Sequence, residues 1–272
     1  QSMHEGVDPI TSMSMIQFQS YQELDVYPQP HVIMKDDLIR KLISKTGLTR
    51  DMHFLDFGCG RGRILKMMAD MGFWNGIGID SQDICIDICR MKLKETGIGA
   101  INADLNDIQQ SFDLIIMSSV LEHIQDDRAC LRSVNDHLRK EGFFLFTVPG
   151  DMKLYGQRDI DYGHYRRYEK DELIEKMNES GFHILILWSY GMSILSKLYR
   201  ILIKNELKQN ASQAKEKASG QSAIHSAGFN KIKSLYPLYS KLMFMYNFQK
   251  LLLNTNIFHT NYVGLCQKTF RA

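Results

Sequence analysis

Phe54-Leu55-Asp56-Phe57-Gly58-Cys59-Gly60-Arg61-Gly62-Arg63 runs from an apolar segment of strand length through closely spaced glycines toward a helix. Glycine permits a tight turn, a close approach of backbone to ligand, and close packing of the helix on the strand. The spacing is G-x-G-x-G, not the G-x-G-x-x-G of dinucleotide enzymes. Asp56 stands two residues before the first glycine. A carboxylate there repels a pyrophosphate and attracts a cationic ligand.

Outward from this loop, apolar runs of strand length alternate with helical patterns. Strands are expected at 52–56, 74–80, 98–103, 112–117, 142–148 and 182–189, and helices at 63–71, 83–96, 128–139 and 170–180. Such alternation argues an α/β fold with a parallel sheet covered on both faces. An amphipathic helix is expected at 31–46. A last strand at 259–269 arrives after a long excursion, so it is expected at the edge of the sheet.

Two further acids stand at successive strand ends. Asp80, followed by Ser81, closes Gly76-Ile77-Gly78-Ile79-Asp80, where a carboxylate can accept hydrogen bonds from both ribose hydroxyls. Asp104, in Ala103-Asp104-Leu105, can accept from an adenine amino group. Each acid could equally cap the helix that follows it. Asp56, Asp80 and Asp104 together, all at the carboxyl edge, are hard to explain by capping alone.

With these motifs in place, residues 50–190 resemble the class I S-adenosylmethionine-dependent methyltransferases. The likeness also rests on Phe112-Asp113-Leu114-Ile115, Val120-Leu121-Glu122-His123-Ile124 and the run from Leu138 to Pro149. His164-Tyr165-Arg166-Arg167-Tyr168 and Gly181-Phe182 are similar to a broad subgroup that includes ubiquinone-type and glycan-pathway enzymes. The resemblance implies a Rossmann-like sheet of seven strands, the last antiparallel. It implies that Asp80 holds the ribose, Asp104 the adenine amine and the glycine loop the methionyl part of S-adenosylmethionine, whose product is S-adenosylhomocysteine. The expected cofactor set is Asp56, Gly58, Cys59, Gly60, Gly62, Asp80, Ser81, Ala103, Asp104, Leu105, Ser118 and Ser119. Glu169 departs from the Ser or Thr cap common in relatives, with Glu172 as partial compensation.

A sulfonium already carries the activated methyl and its leaving group, so the protein must align a nucleophile, exclude water and, where the acceptor needs it, remove a proton. His123 and His164 are the candidate catalytic residues, since imidazole titrates near neutral pH. Arg166 and Arg167 could clamp an anion or pair with nearby acids. Some relatives hold a divalent cation with Glu-x-x-Glu-His. Here Ser119-x-x-Glu122-His123 lacks the first carboxylate, so no metal is expected.

The composition of the 272 residues is that of an ordinary globular chain, with 44% hydrophobic and 24% charged residues. The net charge of +2 conceals an asymmetry. Residues 1–192 carry 21 basic and 29 acidic side chains, whereas residues 193–272 carry 12 basic and 2 acidic ones. No apolar run reaches membrane-spanning length. Cys59, Cys85, Cys89, Cys130 and Cys266 are an odd set without a preceding secretory leader, so reduced thiols and a cytoplasmic location are expected. Cys85 and Cys89 read as core thiols. The expected organisation is a tag scar and helical cap at 1–46, a cofactor-binding core at 47–192, a helical lid at 193–258 and the final strand at 259–272. Aromatic and basic residues of the lid, among them Tyr236, Tyr239, Lys231 and Lys241, suit an anionic, small-molecule, lipid-linked or glycan-linked acceptor, with peripheral contact at a membrane surface. DNA is not an expected partner, and the oligomeric state is left open. The competing readings are an RNA methyltransferase and a module that binds the cofactor without transferring a methyl group.

Overall fold

A computed structural model gives the fold for residues 30–191 and 260–269, the residues described here. Lys35–Tyr190 and Asn254–Ala272 form one compact unit, which contains the sheet. The other unit, Gln1–Met34 with Gly191–Leu253, lies almost wholly outside the described residues, as does the expected lid at 193–258. No helix among the described residues is long and apolar enough to cross a membrane.

Helix α1 (Pro30–Ile43) precedes the sheet. Strand β1 (Phe54–Phe57) leads into α2 (Arg63–Asp70), β2 (Gly76–Asp80) into α3 (Asp83–Leu93), and β3 (Gly99–Asn102) into a short 3-10 turn. Strand β4 (Phe112–Ser118) is followed by a turn at Leu121–His123 and by α4 (Asp127–Asp136). Strand β5 (Leu138–Pro149), the short α5 (Gln157–Asp161), α6 (Lys170–Glu179), β6 (Phe182–Tyr190) and β7 (Asn261–Lys268) complete the order. The seven strands lie in the order β3-β2-β1-β4-β5-β7-β6. Strands β1 to β5 pair in parallel, and β7 runs antiparallel to both β5 and β6.

This mixed sheet is the Rossmann-like fold the sequence implied, with one correction. Strand β7 is interior, between β5 and β6, and β6 holds the edge. The side chains explain the placement. Tyr262, Val263, Leu265 and Cys266 are buried in succession, so both faces of β7 are covered. On β6, His183 and Leu185 are exposed while Phe182 and Trp188 are buried, as suits an edge. Gly264 leaves room for the ring of Phe146, whose Cζ would stand 2.3 Å from an added Cβ.

The core packs Leu55, Ile115, Phe144, Phe146 and Leu131 with Tyr168 and Phe182. Tyr168 is fully buried, and its hydroxyl donates to Asp127 Oδ2 at 3.0 Å, with the Leu121 carbonyl as a second acceptor within reach at 3.2 Å. Glu169 makes no side-chain cap on α6, and Glu172 does not replace it: Glu172 pairs with Lys176 at 2.9 Å. Strand order reverses between β1 and β4, and the crevice outside their carboxyl ends is where such sheets take ligands.

Candidate active site

Asp56, Asp80 and Asp104, the three strand-end acids singled out from sequence, lie at this carboxyl edge. The Gly58 and Cys59 N–H groups donate to the Ile79 carbonyl at 2.8 and 2.9 Å, which folds the loop back over β2. The Gly60 N–H donates to Asp80 Oδ2 at 2.8 Å, and the Gln82 N–H to Asp80 Oδ1 at 3.0 Å. Asp80 therefore ties the loop to the start of α3 while each oxygen keeps a free lone pair. Gly62 has a φ of 75°, and a Cβ there would stand 2.5 Å from Cys89 Sγ. At Gly60, φ is 49° and an added Cβ meets nothing within 4 Å, so the loop's face there is open. Buried around the loop and open at Gly60, the turn can receive a ligand against its backbone.

Asp56 is only 1% exposed, and its Oδ2 has no hydrogen-bond partner among the described residues. Burial, with the nearby Asp80 charge adding to it, pushes its carboxyl up to about 8. Asp104 is exposed and caps the following turn, accepting from the Asn106 N–H at 3.1 Å, while its own N–H donates to Asp107. Its exposure leaves the carboxylate open to a ligand while it caps. Ser81 is exposed beside Asp80, Ala103 is half-buried, and Leu105 is buried in the core.

A second cluster forms past β4 and β5. Thr147 joins Ser118 and Ser119, with hydroxyl oxygens 3.3 and 3.4 Å apart. Lys35 Nζ donates to Ser119 Oγ at 3.3 Å. Burial lowers the Lys35 ammonium from its ordinary range, against the pull of Asp36 and Glu122. Glu122 is buried, its Oε2 has no partner among the described residues, and burial pushes its carboxyl up to about 7.

His123 and His164, far apart in sequence, meet edge to face with ring centroids 4.7 Å apart. Burial and the neighbouring His164 hold the His123 imidazole below its ordinary range, so it is neutral near pH 7. His164 Nδ1 lies 3.0 Å from Asp159 Oδ1, which also accepts from Arg167 at 2.9 Å. Burial alone would raise Asp159, but the Arg167 and His164 hydrogen bonds outweigh it and hold the carboxyl below the usual range. An ionised Asp159 favours the tautomer with Nδ1–H, which leaves His164 Nε2 as an acceptor. Arg166 pairs with the buried Asp127 at 2.8 Å. Both arginines are thus engaged by acids.

Lys35, Thr147 and Asp159 were not singled out from sequence. Lys35 lies before the first strand, and Thr147 and Asp159 carry no motif. Only the His164–Tyr168 spacing hinted at this cluster: Tyr168 anchors the segment in the core and His164 faces the site.

Glu122, His123 and His164 offer ligand atoms within 4.8 Å of one another, so the trio could hold a metal ion. It is a poor set for a hard cation such as magnesium, which takes oxygen ligands. Lys35 and Arg167 also bring positive charge toward Glu122.

The methyltransferase-domain family profile matches residues 33–186, more than half of the chain. A ubiquinone biosynthesis O-methyltransferase of Shewanella pealeana is 26% identical over 108 residues, which is 37% of this chain and 45% of that protein. The chain thus spans about half the length of the curated relatives it matches. Among solved structures, the cyclase SpnF has a TM-score of 0.56 at 16% identity, covering 86% of this chain and 80% of that one. Phosphoethanolamine N-methyltransferase 2 of Haemonchus contortus, solved with S-adenosyl-L-methionine, has a TM-score of 0.55 at 14% identity, covering 86% of this chain and 53% of that one. At these identities the likeness to solved structures is one of fold. With this fold and this loop on the page, the family profile decides the assignment: the chain belongs to the methyltransferase-domain family.

Proposed function

We propose that this protein transfers a methyl group from S-adenosylmethionine to an oxygen or nitrogen of a small-molecule, lipid-linked or glycan-linked acceptor. The observation that carries the cofactor assignment is the loop at 58–62, open at Gly60, with Asp56, Asp80 and Asp104 at successive strand ends. In this reading the loop takes the methionyl part, Asp80 and Ser81 the ribose, and Ala103, Asp104 and Leu105 the adenine. Bound there, the cofactor supplies an electrophilic methyl group and its own leaving group. The chain's residues then orient and desolvate the acceptor and hold its proton. His123 and His164 are the proposed bases: His123 is neutral near pH 7, and Asp159 directs the free Nε2 of His164 outward from its own carboxylate. The Ser118, Ser119 and Thr147 hydroxyls with Lys35 form a polar wall against which an acceptor oxygen or nitrogen can be aligned.

A cytoplasmic site of action and contact of 193–258 with a membrane surface belong to the same proposal. The location rests on the odd set of five cysteines, and the membrane contact on the aromatic, basic C-terminal part. A reading without methyl transfer draws on the cyclase SpnF, which has a similar fold.

Calorimetry decides the cofactor first. The purified protein is expected to bind S-adenosylmethionine and S-adenosylhomocysteine, and neither NAD nor ATP appreciably. Tight NAD binding without S-adenosylhomocysteine binding would sink the proposal. A screen of candidate acceptors with radiolabelled S-adenosylmethionine then separates a transferase from a silent binder. Turnover of the acceptor so found is expected to persist in EDTA, because the Glu122 trio lacks a second carboxylate. Loss on chelation, restored by magnesium or manganese, would instead make that trio a metal site.

A further inference from the structure

Arg166 spans two acceptors with one planar fork. Its Nη1 pairs with Asp127 Oδ2 at 2.8 Å, and its Nη2 donates to the Gln125 carbonyl at 2.5 Å. Asp127 opens α4 but does not cap it, since Asp126 accepts the Ala129 N–H at 2.9 Å. Asp127 turns inward instead and is 3% exposed. Three donors meet on its Oδ2: Arg166, the Tyr168 hydroxyl at 3.0 Å and Lys176 Nζ at 2.6 Å. Lys176 is buried too, lies 5.3 Å from the Tyr168 ring and pairs with Glu172, so two acids balance two bases. Burial alone would raise the Asp127 carboxyl, but Lys176 and Arg166 outweigh it and hold it below the usual range, so it is ionised near neutral pH. Buried ion clusters often add little stability over packed apolar side chains; what charge-assisted bonds supply is direction.

The two segments that this cluster joins each carry one of the proposed bases. His123 lies within 121–127, and His164 opens 164–168. The Tyr165 N–H donates to the Glu122 carbonyl at 2.8 Å, and the Leu121 carbonyl is 3.2 Å from the Tyr168 hydroxyl. With the Arg166 fork, the segments are tied at Leu121, Glu122, Gln125 and Asp127. His123 and His164 meet along this seam, with ring centroids 4.7 Å apart. Asp159 fixes how the His164 ring is turned, through Nδ1 at 3.0 Å. The seam sets how far that ring stands from His123. We propose that Asp127, acting through the Arg166 fork, is a positioning residue that holds His164 against His123. A lysine at position 166 would keep the charge, but its single ammonium cannot copy a planar fork that reaches both Asp127 and the Gln125 carbonyl.

The consequence for turnover rests on the base role proposed for the two histidines; the positioning itself does not. The test is an NMR measurement on the full chain labelled in its histidine rings. The nuclear Overhauser effect between the His123 and His164 rings is assigned from the His123→Gln and His164→Gln spectra. It is then compared among the parent, Asp127→Asn, Arg166→Gln, Arg166→Lys and Arg128→Gln. Arg128 pairs with Glu179, so its variant removes an ion pair of α4 outside the seam. The effect falls with the sixth power of distance, so a ring moved out by about 1 Å from 4.7 Å loses about threefold of it, and a misplacement of that size can cost about 100-fold in rate. A loss of that size is expected in Asp127→Asn, Arg166→Gln and Arg166→Lys, and none in Arg128→Gln. The circular dichroism spectrum and S-adenosylhomocysteine affinity of the Arg166 variants are expected to match the parent. If Asp127→Asn does not fold, the two Arg166 variants decide. An unchanged effect in Arg166→Gln overturns the proposal, as does its absence in the parent. Arg166→Lys with the full effect overturns it too, since charge alone would then suffice. With an acceptor in hand, the same variants are expected to lose kcat and keep the KM for S-adenosylmethionine. Rings moved apart with kcat intact would uphold the positioning and sink the base role of the histidines.

Discussion

Asp80→Ala is expected to weaken S-adenosylhomocysteine binding by about 30-fold or more, with the circular dichroism spectrum of the parent retained. Two effects act in the same direction. Asp80 accepts the Gly60 and Gln82 N–H groups, so it holds the loop in the shape that receives the ligand. In the proposed function its remaining lone pairs accept the ribose hydroxyls. Hydrogen bonds to a charged group contribute roughly 1.5–3 kcal/mol each, and ~1.4 kcal/mol is one decade in affinity. Loss of one such bond already approaches the expected change. The sheet survives because Asp80 ends β2 and buries little apolar area, while the Leu55, Ile79 and Ile115 core beneath it is untouched. Calorimetry at fixed pH and salt measures the effect. Asp80→Asn should fall between parent and Ala, since an amide oxygen still accepts one N–H but carries no charge. An unchanged dissociation constant in the Ala variant would leave Asp80 with no part in the site.

The loop, the acids and the alternation of strands and helices were legible because each is a local pattern. The glycine spacing says where backbone must turn, and the strand-end acids say where charge gathers. Misplaced boundaries have physical causes. The expected helix at 128–139 overran into β5, because Leu131, Val134 and Leu138 keep a helical spacing across the junction. The structure ends α4 at Asp136, where the His137 ring lies 2.8 Å from the Ser133 carbonyl and 3.0 Å from that of Ile108, and Leu138 pairs with Phe112.

The place of β7 was inferred from its late arrival in the chain, and chain order is a weak guide to sheet order. Its composition carried the better signal. An unbroken Tyr262-Val263-Gly264-Leu265-Cys266 run suits burial on both faces, whereas Phe182-His183-Ile184-Leu185 carries a His and a Leu that the edge leaves exposed. The meeting of His123 with His164, and of Lys35 with Ser119, lies beyond any local reading. Only the packing of α1 and the segment before α6 onto the carboxyl ends of β4 and β5 brings them together.

Asp56→Asn is expected to make the cofactor-free protein more stable at pH 8 and to make it bind S-adenosylmethionine more weakly. The buried Asp56 carboxyl is raised to about 8 by burial and by the Asp80 charge, with Lys35 pulling the other way. In the unfolded chain it titrates near 4. A group raised on folding gives its full stabilisation below the unfolded value and loses it as pH rises through the folded one. The cofactor-free protein should therefore lose stability from about pH 4 toward pH 8, and Glu122, raised to about 7, adds a loss of the same sign. Asp159 and Asp127, both held low, act oppositely and only in acid, so stability should peak on the mildly acidic side. Asparagine cannot ionise, so the variant should lose most of this slope, a difference of a few kcal/mol at pH 8 given ~1.4 kcal/mol per unit. Thermal melts of both proteins from pH 5 to 8.5 measure it, and parallel profiles would show that Asp56 does not titrate as argued. A sulfonium near Asp56 would favour its carboxylate. Binding S-adenosylmethionine at pH 7 should then release a fraction of a proton, seen as a dependence of the binding heat on the ionisation enthalpy of the buffer. S-adenosylhomocysteine has no sulfonium charge and should release less. In the proposed function, the acid that costs the empty protein stability is the one that, once ionised, favours the charged ligand.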